Sequence, residues 1–201
     1  QEVGYGRPSG NMWTHIGSDR NKHLEGILFD EVAADWGVGI EEMVCRVMAE
    51  ESLTCGFRGT PPTSVKAWRQ VEEDVMELMS RPDYMVGSDS IPVGGMPHPR
   101  AYGCFVRVLG RLRRRYNYPV EQVVQRLTQN PAERFGLTDR GVIAEGKFAD
   151  LVIFDAERVI DRSSFEDPQV HPEGVPWVLV NGQIAVENEA VTGVLAGEAI
   201  P

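Results

Sequence analysis

The sequence predicts an α/β fold, and three observations carry that prediction. Apolar residues recur at helical spacing through roughly the first two thirds of the chain. Between two such stretches lies a short apolar strand pattern, Tyr84-Met85-Val86, which runs into Gly87-Ser88-Asp89 and then into the turn-rich Pro97-His98-Pro99-Arg100. From Gly141 onward the helical period gives way to short β runs. An acidic residue at the exit of a buried strand, followed by a loop with His and Arg, is how an α/β barrel assembles a catalytic face.

The elements follow in order. The opening run, Gln1 to Gly10, reads as the middle of a loop. Ile40, Met43, Val44, Val47 and Met48 fall at i, i+3, i+4, i+7 and i+8, an amphipathic helix whose first turn carries Glu41 and Glu42, as the helix dipole favours. Cys45 is assigned to its apolar stripe, with core packing as its role. Gly56 to Ser64 breaks the pattern. A second helix is predicted from Val65 to Met79, capped by Thr63 or Ser64, with Trp68, Val71, Val75 and Leu78 or Met79 along one side. Pro82 ends it and hands the chain to a Tyr84–Gly87 strand. After the Pro/Gly loop 91–100, Phe105, Val106, Leu109 and Leu112 predict a third helix. Pro119 opens a fourth, and Pro131 a last short turn ending near Gly136. The β runs are Asp150–Phe154, Trp177–Val180 and Gln183–Val186. Asn181-Gly182 between the last two is a strong hairpin signal, because both turn residues must take positive φ. A boundary near 137–141 divides the chain into residues 1–140 and 141–201.

Composition sets limits on this scheme. A complete eight-stranded barrel usually needs more chain than 201 residues. A formal charge of −10 argues against nucleic acid or an anionic membrane as partner, since both require clustered Lys and Arg. The one basic run, Arg111 to Arg115, reads as the solvated face of a helix. No stretch is long and apolar enough to span a membrane, and no signal-peptide pattern opens the sequence. Cys45, Cys55 and Cys104 lack CxxC spacing and read as reduced thiols, hence an expected cytoplasmic location.

Two segments carry a family resemblance. Asn130-Pro131-Ala132-Glu133-Arg134-Phe135-Gly136-Leu137, followed by the run from Gly141 to Asp155, resembles the barrel-to-sandwich junction of the metal-dependent amidohydrolase superfamily. Within it, Gly87-Ser88-Asp89 with Pro97-His98-Pro99-Arg100 is similar to the N-acyl-D-amino-acid deacylases, or D-aminoacylases. Phe165-Glu166-Asp167-Pro168, Pro172-Glu173-Gly174-Val175 and Val180-Asn181-Gly182 resemble the same group's tail.

The resemblance implies the C-terminal part of a TIM-type (β/α)8 barrel over 1–140, followed by a β-sandwich segment over 141–201. It implies a hydrolase in which a metal, normally zinc, activates water against the amide of a small N-acyl amino acid. Asp89 matches the carboxylate that moves the proton, and is also a weak candidate metal ligand. Arg100 matches the binder of the substrate α-carboxylate, for which a guanidinium fork is suited. His98 and, more loosely, Ser18 join the substrate-binding candidates.

The family's His-x-His pair and its middle-strand ligands have no counterpart here, and His15 and His23 lie beyond the last family ligand. The expectation is therefore a C-terminal portion of a larger enzyme, inactive and without zinc by itself. It would associate with itself or with the missing N-terminal part. Two other readings stand beside this one: a cyclic amidase of the dihydroorotase or hydantoinase type, and a non-catalytic remnant serving as an assembly module.

Overall fold

A computed structural model describes residues 8–59 and 64–200, and gives a mixed α/β chain of two compact units. The first unit gathers the described residues up to 67 with 89–101 and 164–169; the second holds 68–88, 102–163 and 170–200. The expected division at 140/141 falls inside the second unit, although helices do stop at Arg134 and strands resume at Leu151.

The first unit is built on an antiparallel ribbon that the sequence reading missed, β1 (Met12–Ile16) with β2 (Cys55–Arg58). Trp13 opposes Phe57, while His15 and Ile16 oppose Gly56 and Cys55, so Thr14 is an extra residue in a bulge. The bulge resets the alternation and lets Trp13 and Ile16 enter one core although they are three apart. Helices α1 (Phe29–Trp36) and α2 (Ile40–Glu50) close that core with Phe29, Val32, Ala33, Met43 and Val47. Helix α2 forms as its period predicted. Cys45, however, is exposed: at i+5 from Ile40 it turns off the buried stripe, which corrects its assignment to the core.

The second unit begins in α3 (Val65–Ser80), where the Ser64 hydroxyl accepts the Ala67 N–H at 3.1 Å. Thr63, the other proposed cap, lies outside the described residues. The predicted third helix is α4 (Arg100–Arg107), continued by a π turn over Val108–Leu112 and by α5 (Arg113–Arg115). Helices α6 (Val120–Leu127) and α7 (Gln129–Arg134) follow. Met76, Met79, Val108, Leu109, Leu112, Val123 and Val159 form the core.

An antiparallel sheet of β3 (Leu151–Ile153), β4 (Trp177–Val180), β5 (Gln183–Glu187) and β6 (Ala190–Val191) completes the unit. Val180 pairs with Gln183 across Asn181 (φ 48°) and Gly182 (φ 77°), the two-residue turn the sequence predicted. No described helix is long and apolar enough to cross a membrane.

Two further expectations are corrected. Residues 84–90 form no strand among the described residues. A barrel strand is held by neighbours on both sides, and here Val86 N–H finds only the Arg126 carbonyl, at 3.3 Å. The run Arg111 to Arg115 is not a solvated face. Arg111 pairs with Asp161 at 3.0 Å, Arg113 and Arg114 bond the Ala156 carbonyl, and Arg115 pairs with Glu72. The buried Asp161 and Glu72 demand such partners, and together with the Ala156 carbonyl they hold the run against the fold, Arg115 alone of these arginines staying exposed.

Candidate functional site

Three of the four candidate residues, Asp89, His98 and Arg100, fall within twelve consecutive positions of the first unit, on a loop and the first residue of the helix that follows it, and the chain's local chemistry explains their placement. The loop is stapled to β1 by Glu25, whose carboxylate accepts the N–H of Ile16 at 2.8 Å and of Gly95 at 3.2 Å. The Gln169 amide donates to the Gly94 carbonyl at 3.0 Å. Gly94 itself holds φ 85°, and a Cβ there would stand 2.0 Å from the Thr14 carbonyl oxygen. Gly94→Ala is accordingly expected to destabilise the fold by at least ~1–3 kcal/mol, read by urea unfolding. A change within ~0.5 kcal/mol would show that the loop yields freely.

Pro97 is fully buried and anchors the segment. Next to it, His98 Nδ1 accepts the Arg100 backbone N–H at 3.1 Å, which assigns the ring proton of the neutral imidazole to Nε2. The ring meets Phe165 edge-on, with centroids 5.1 Å apart. Burial pushes the His98 pKa down, and the positive charges of Arg100 and Arg58 add to the effect. The unfolded chain then binds the His98 proton more readily than the fold does. This stability contribution is complete above the ordinary value of 6.5 and is lost as pH falls from there towards the depressed folded value. His98→Gln should therefore flatten the loss of stability between pH 7.5 and 5, measured by urea unfolding. Parallel pH curves for variant and wild type would refute it.

Arg100 opens α4 and reaches back to Asp89, with Nη2 to Oδ2 at 3.2 Å. Asp89 is held at φ 46° and its side chain is 91% exposed. An ion pair this open contributes only ~0–1 kcal/mol, so it does not lock Arg100 in place. Arg100 Nε is buried and has no partner among the described residues.

Ser18 stands apart from this group. Its hydroxyl donates to Glu51 at 2.6 Å and its backbone N–H at 2.8 Å, and Asn21 donates to the same carboxylate at 2.8 Å. These contacts, the Ser18 hydroxyl foremost, hold the Glu51 carboxyl below its usual range.

Arg100 and His98 line a cavity of about 300 Å³ together with Thr14, His15, Arg58 and Ile91. Ser18 does not line it. Arg58 escapes sequence reasoning because Gly56 to Ser64 breaks the helical pattern; the apolar-basic run Cys55-Gly56-Phe57-Arg58 ahead of Gly59 is the available signal. The cavity joins two guanidiniums and two imidazoles to an apolar wall, a setting for an anionic organic ligand.

Among the described residues no group of three His, Cys, Asp or Glu could hold a metal ion. Asp89 alone falls short of the three protein ligands of a catalytic zinc site. The described residues do not fit a complete zinc centre.

A D-aminoacylase of Alcaligenes xylosoxydans xylosoxydans is 35% identical over 178 residues, 88% of this chain and 34% of that protein. A D-aminoacylase crystal structure, described as defining a novel subset of amidohydrolases, superposes with TM-score 0.76 at 32% identity, covering 93% of this chain and 36% of the other. An N-acyl-D-glutamate deacylase from Bordetella bronchiseptica, complexed with zinc and a phosphonate mimic of the tetrahedral intermediate, gives TM-score 0.72 at 32% identity over 88% of this chain and 34% of the other. The chain thus spans about a third of the length of the relatives it matches. The Amidohydrolase family matches residues 43–186, well over half of the sequence, and with relatives above 30% identity the chain belongs to that family.

Proposed function

We propose that these residues form the carboxylate-binding and proton-transferring part of a deacylase acting on N-acyl-D-amino acids. On this reading the 201 residues correspond to the C-terminal part of a TIM-type barrel and a β-sandwich segment. Zinc ligands are contributed by polypeptide outside them. The observation that carries the reading is the pairing of Asp89 with Arg100, 3.2 Å apart, where Arg100 also lines the cavity.

The division of labour follows from the chemistry of the two groups. Arg100 takes the substrate α-carboxylate in a two-bond fork, using the Nε that has no partner among the described residues, and the weak Asp89 contact yields to it. Asp89 accepts the proton of the water whose oxygen attacks the amide carbon. As the C–N bond breaks, Asp89 returns that proton to the departing nitrogen, and the products are a carboxylate and a free D-amino acid.

The test is release of D-amino acid from N-acetyl-D-amino acids by protein that includes the polypeptide encoded upstream of Gln1, supplied with zinc. The D-substrate should be cleaved, and the 201-residue chain alone should cleave nothing. Activity of the short chain, or none in the longer protein, would overturn the reading. Arg100→Lys should raise KM about tenfold for substrates bearing an α-carboxylate and leave their α-amide counterparts unchanged. Equal losses on both substrates would make Arg100 structural.

A further inference from the structure

We infer that Arg58 is a specificity residue that recognises a second anionic group, so that preferred substrates are N-acyl amino acids whose side chain ends in a carboxylate. The inference rests on the assignment of Arg100 to the α-carboxylate above. Arg58 is only 8% exposed and closes no ion pair within 4 Å among the described residues; the one carboxylate whose charge it feels, the exposed Glu166, acts from beyond that distance. Nη2 donates to the Phe165 carbonyl and to Met12 Sδ, each at 3.1 Å, and the guanidinium lies 4.6 Å over the Phe165 ring.

These contacts are with neutral groups. They position the guanidinium without cancelling its charge, Glu166 offsets that charge only from a distance, and Nε has no partner among the described residues. Arg126, the other deeply buried arginine, spends its Nε on the Met79 carbonyl at 3.3 Å. A buried guanidinium with an unspent donor is costly unless an acceptor arrives.

The cavity tells what that acceptor is. Arg58 lines it beside Arg100, whose Nε is also unspent, and Ile91, Val93 and Leu53 add apolar wall. Two forks in about 300 Å³ suit one small molecule with two carboxylates. Arg58 Nε is shielded, so the ligand's approach includes a turn of the guanidinium about its last side-chain bonds.

The experiment uses the 201-residue chain, with the arginine side-chain Nε–H resonances followed by NMR. The probes are N-acetyl-D-glutamate, its neutral isostere N-acetyl-D-glutamine, and N-acetyl-D-alanine. Glutamate should move both the Arg58 and Arg100 signals and bind about tenfold more tightly than glutamine, while alanine should move Arg100 alone. Arg58→Met should bring glutamate down to the level of glutamine. The wild-type spectra carry the test if that variant does not fold.

Equal binding of glutamate and glutamine, or an unmoved Arg58 signal, overturns the inference. If alanine still moves Arg100, only the role of Arg58 is lost. If no probe moves Arg100, the assignment of the α-carboxylate fails and takes Arg58 with it.

Discussion

Replacing Asp89 with Asn is expected to lower turnover of an N-acyl-D-amino acid by about 10²–10⁴-fold in the catalytically complete protein, the range associated with losing a positioned acid-base group. An amide matches the carboxylate in shape but cannot accept a proton from water and hand it to the leaving nitrogen. The side chain is 91% exposed, and its one ion pair is of the kind worth ~0–1 kcal/mol. Folding should therefore be nearly unchanged, and the loss should appear in kcat with little movement in KM. Loss of stability in step with activity would make Asp89 a structural residue at a strained φ of 46°, and unchanged turnover would remove it from the chemistry. The measurement is steady-state release of D-amino acid alongside urea unfolding of both proteins.

The parts of the molecule that were legible in the sequence are those fixed by short-range rules. The stripe from Ile40 to Met48 needs only a 3.6-residue period, and Asn181-Gly182 needs only two residues that tolerate positive φ. Asp89, His98 and Arg100 were legible as a local cluster because turn chemistry and residue type coincide there. The ribbon β1–β2 was not. Its strands are some forty residues apart, and the bulge at Thr14 scrambles the alternation that would have betrayed it. With the ribbon went Arg58, whose surroundings come from Met12 and Phe165, distant in sequence. Tyr84–Val86 erred in the other direction. Its apolar pattern is that of a barrel strand, but a pattern does not supply the neighbouring strands. The arginine run failed for a similar reason: charge is visible locally, and the buried acids that capture it are not.

Those buried acids carry the other large expected effect. Glu72→Ala should destabilise the second unit by ~3–5 kcal/mol, the cost of breaking a buried ion pair from one side. Glu72 is 5% exposed and holds Arg69 at 2.6 Å, Arg107 at 3.5 Å and Arg115. Arg107 also reaches Asp161 at 3.1 Å, so one guanidinium ties α3 to the segment after the last helix. Burial alone would raise the Glu72 carboxyl; hydrogen bonds from Arg115 and Arg69 and the charges behind them outweigh it, and the net shift is downward from 4.5. A depressed carboxyl stabilises the fold above its ordinary value, and that contribution disappears as pH falls from about 4.5 through the folded value. Glu72→Ala should accordingly lose most at pH 7 and approach wild type in acid. The contrast is Glu173→Ala, which removes a half-exposed partner of Arg162 and should cost far less than Glu72→Ala, because water screens that pair. Urea unfolding of both variants at pH 7 and pH 4 decides the matter. Equal costs at pH 7 would mean that water reaches the arginines around Glu72 and that burial has not strengthened the network.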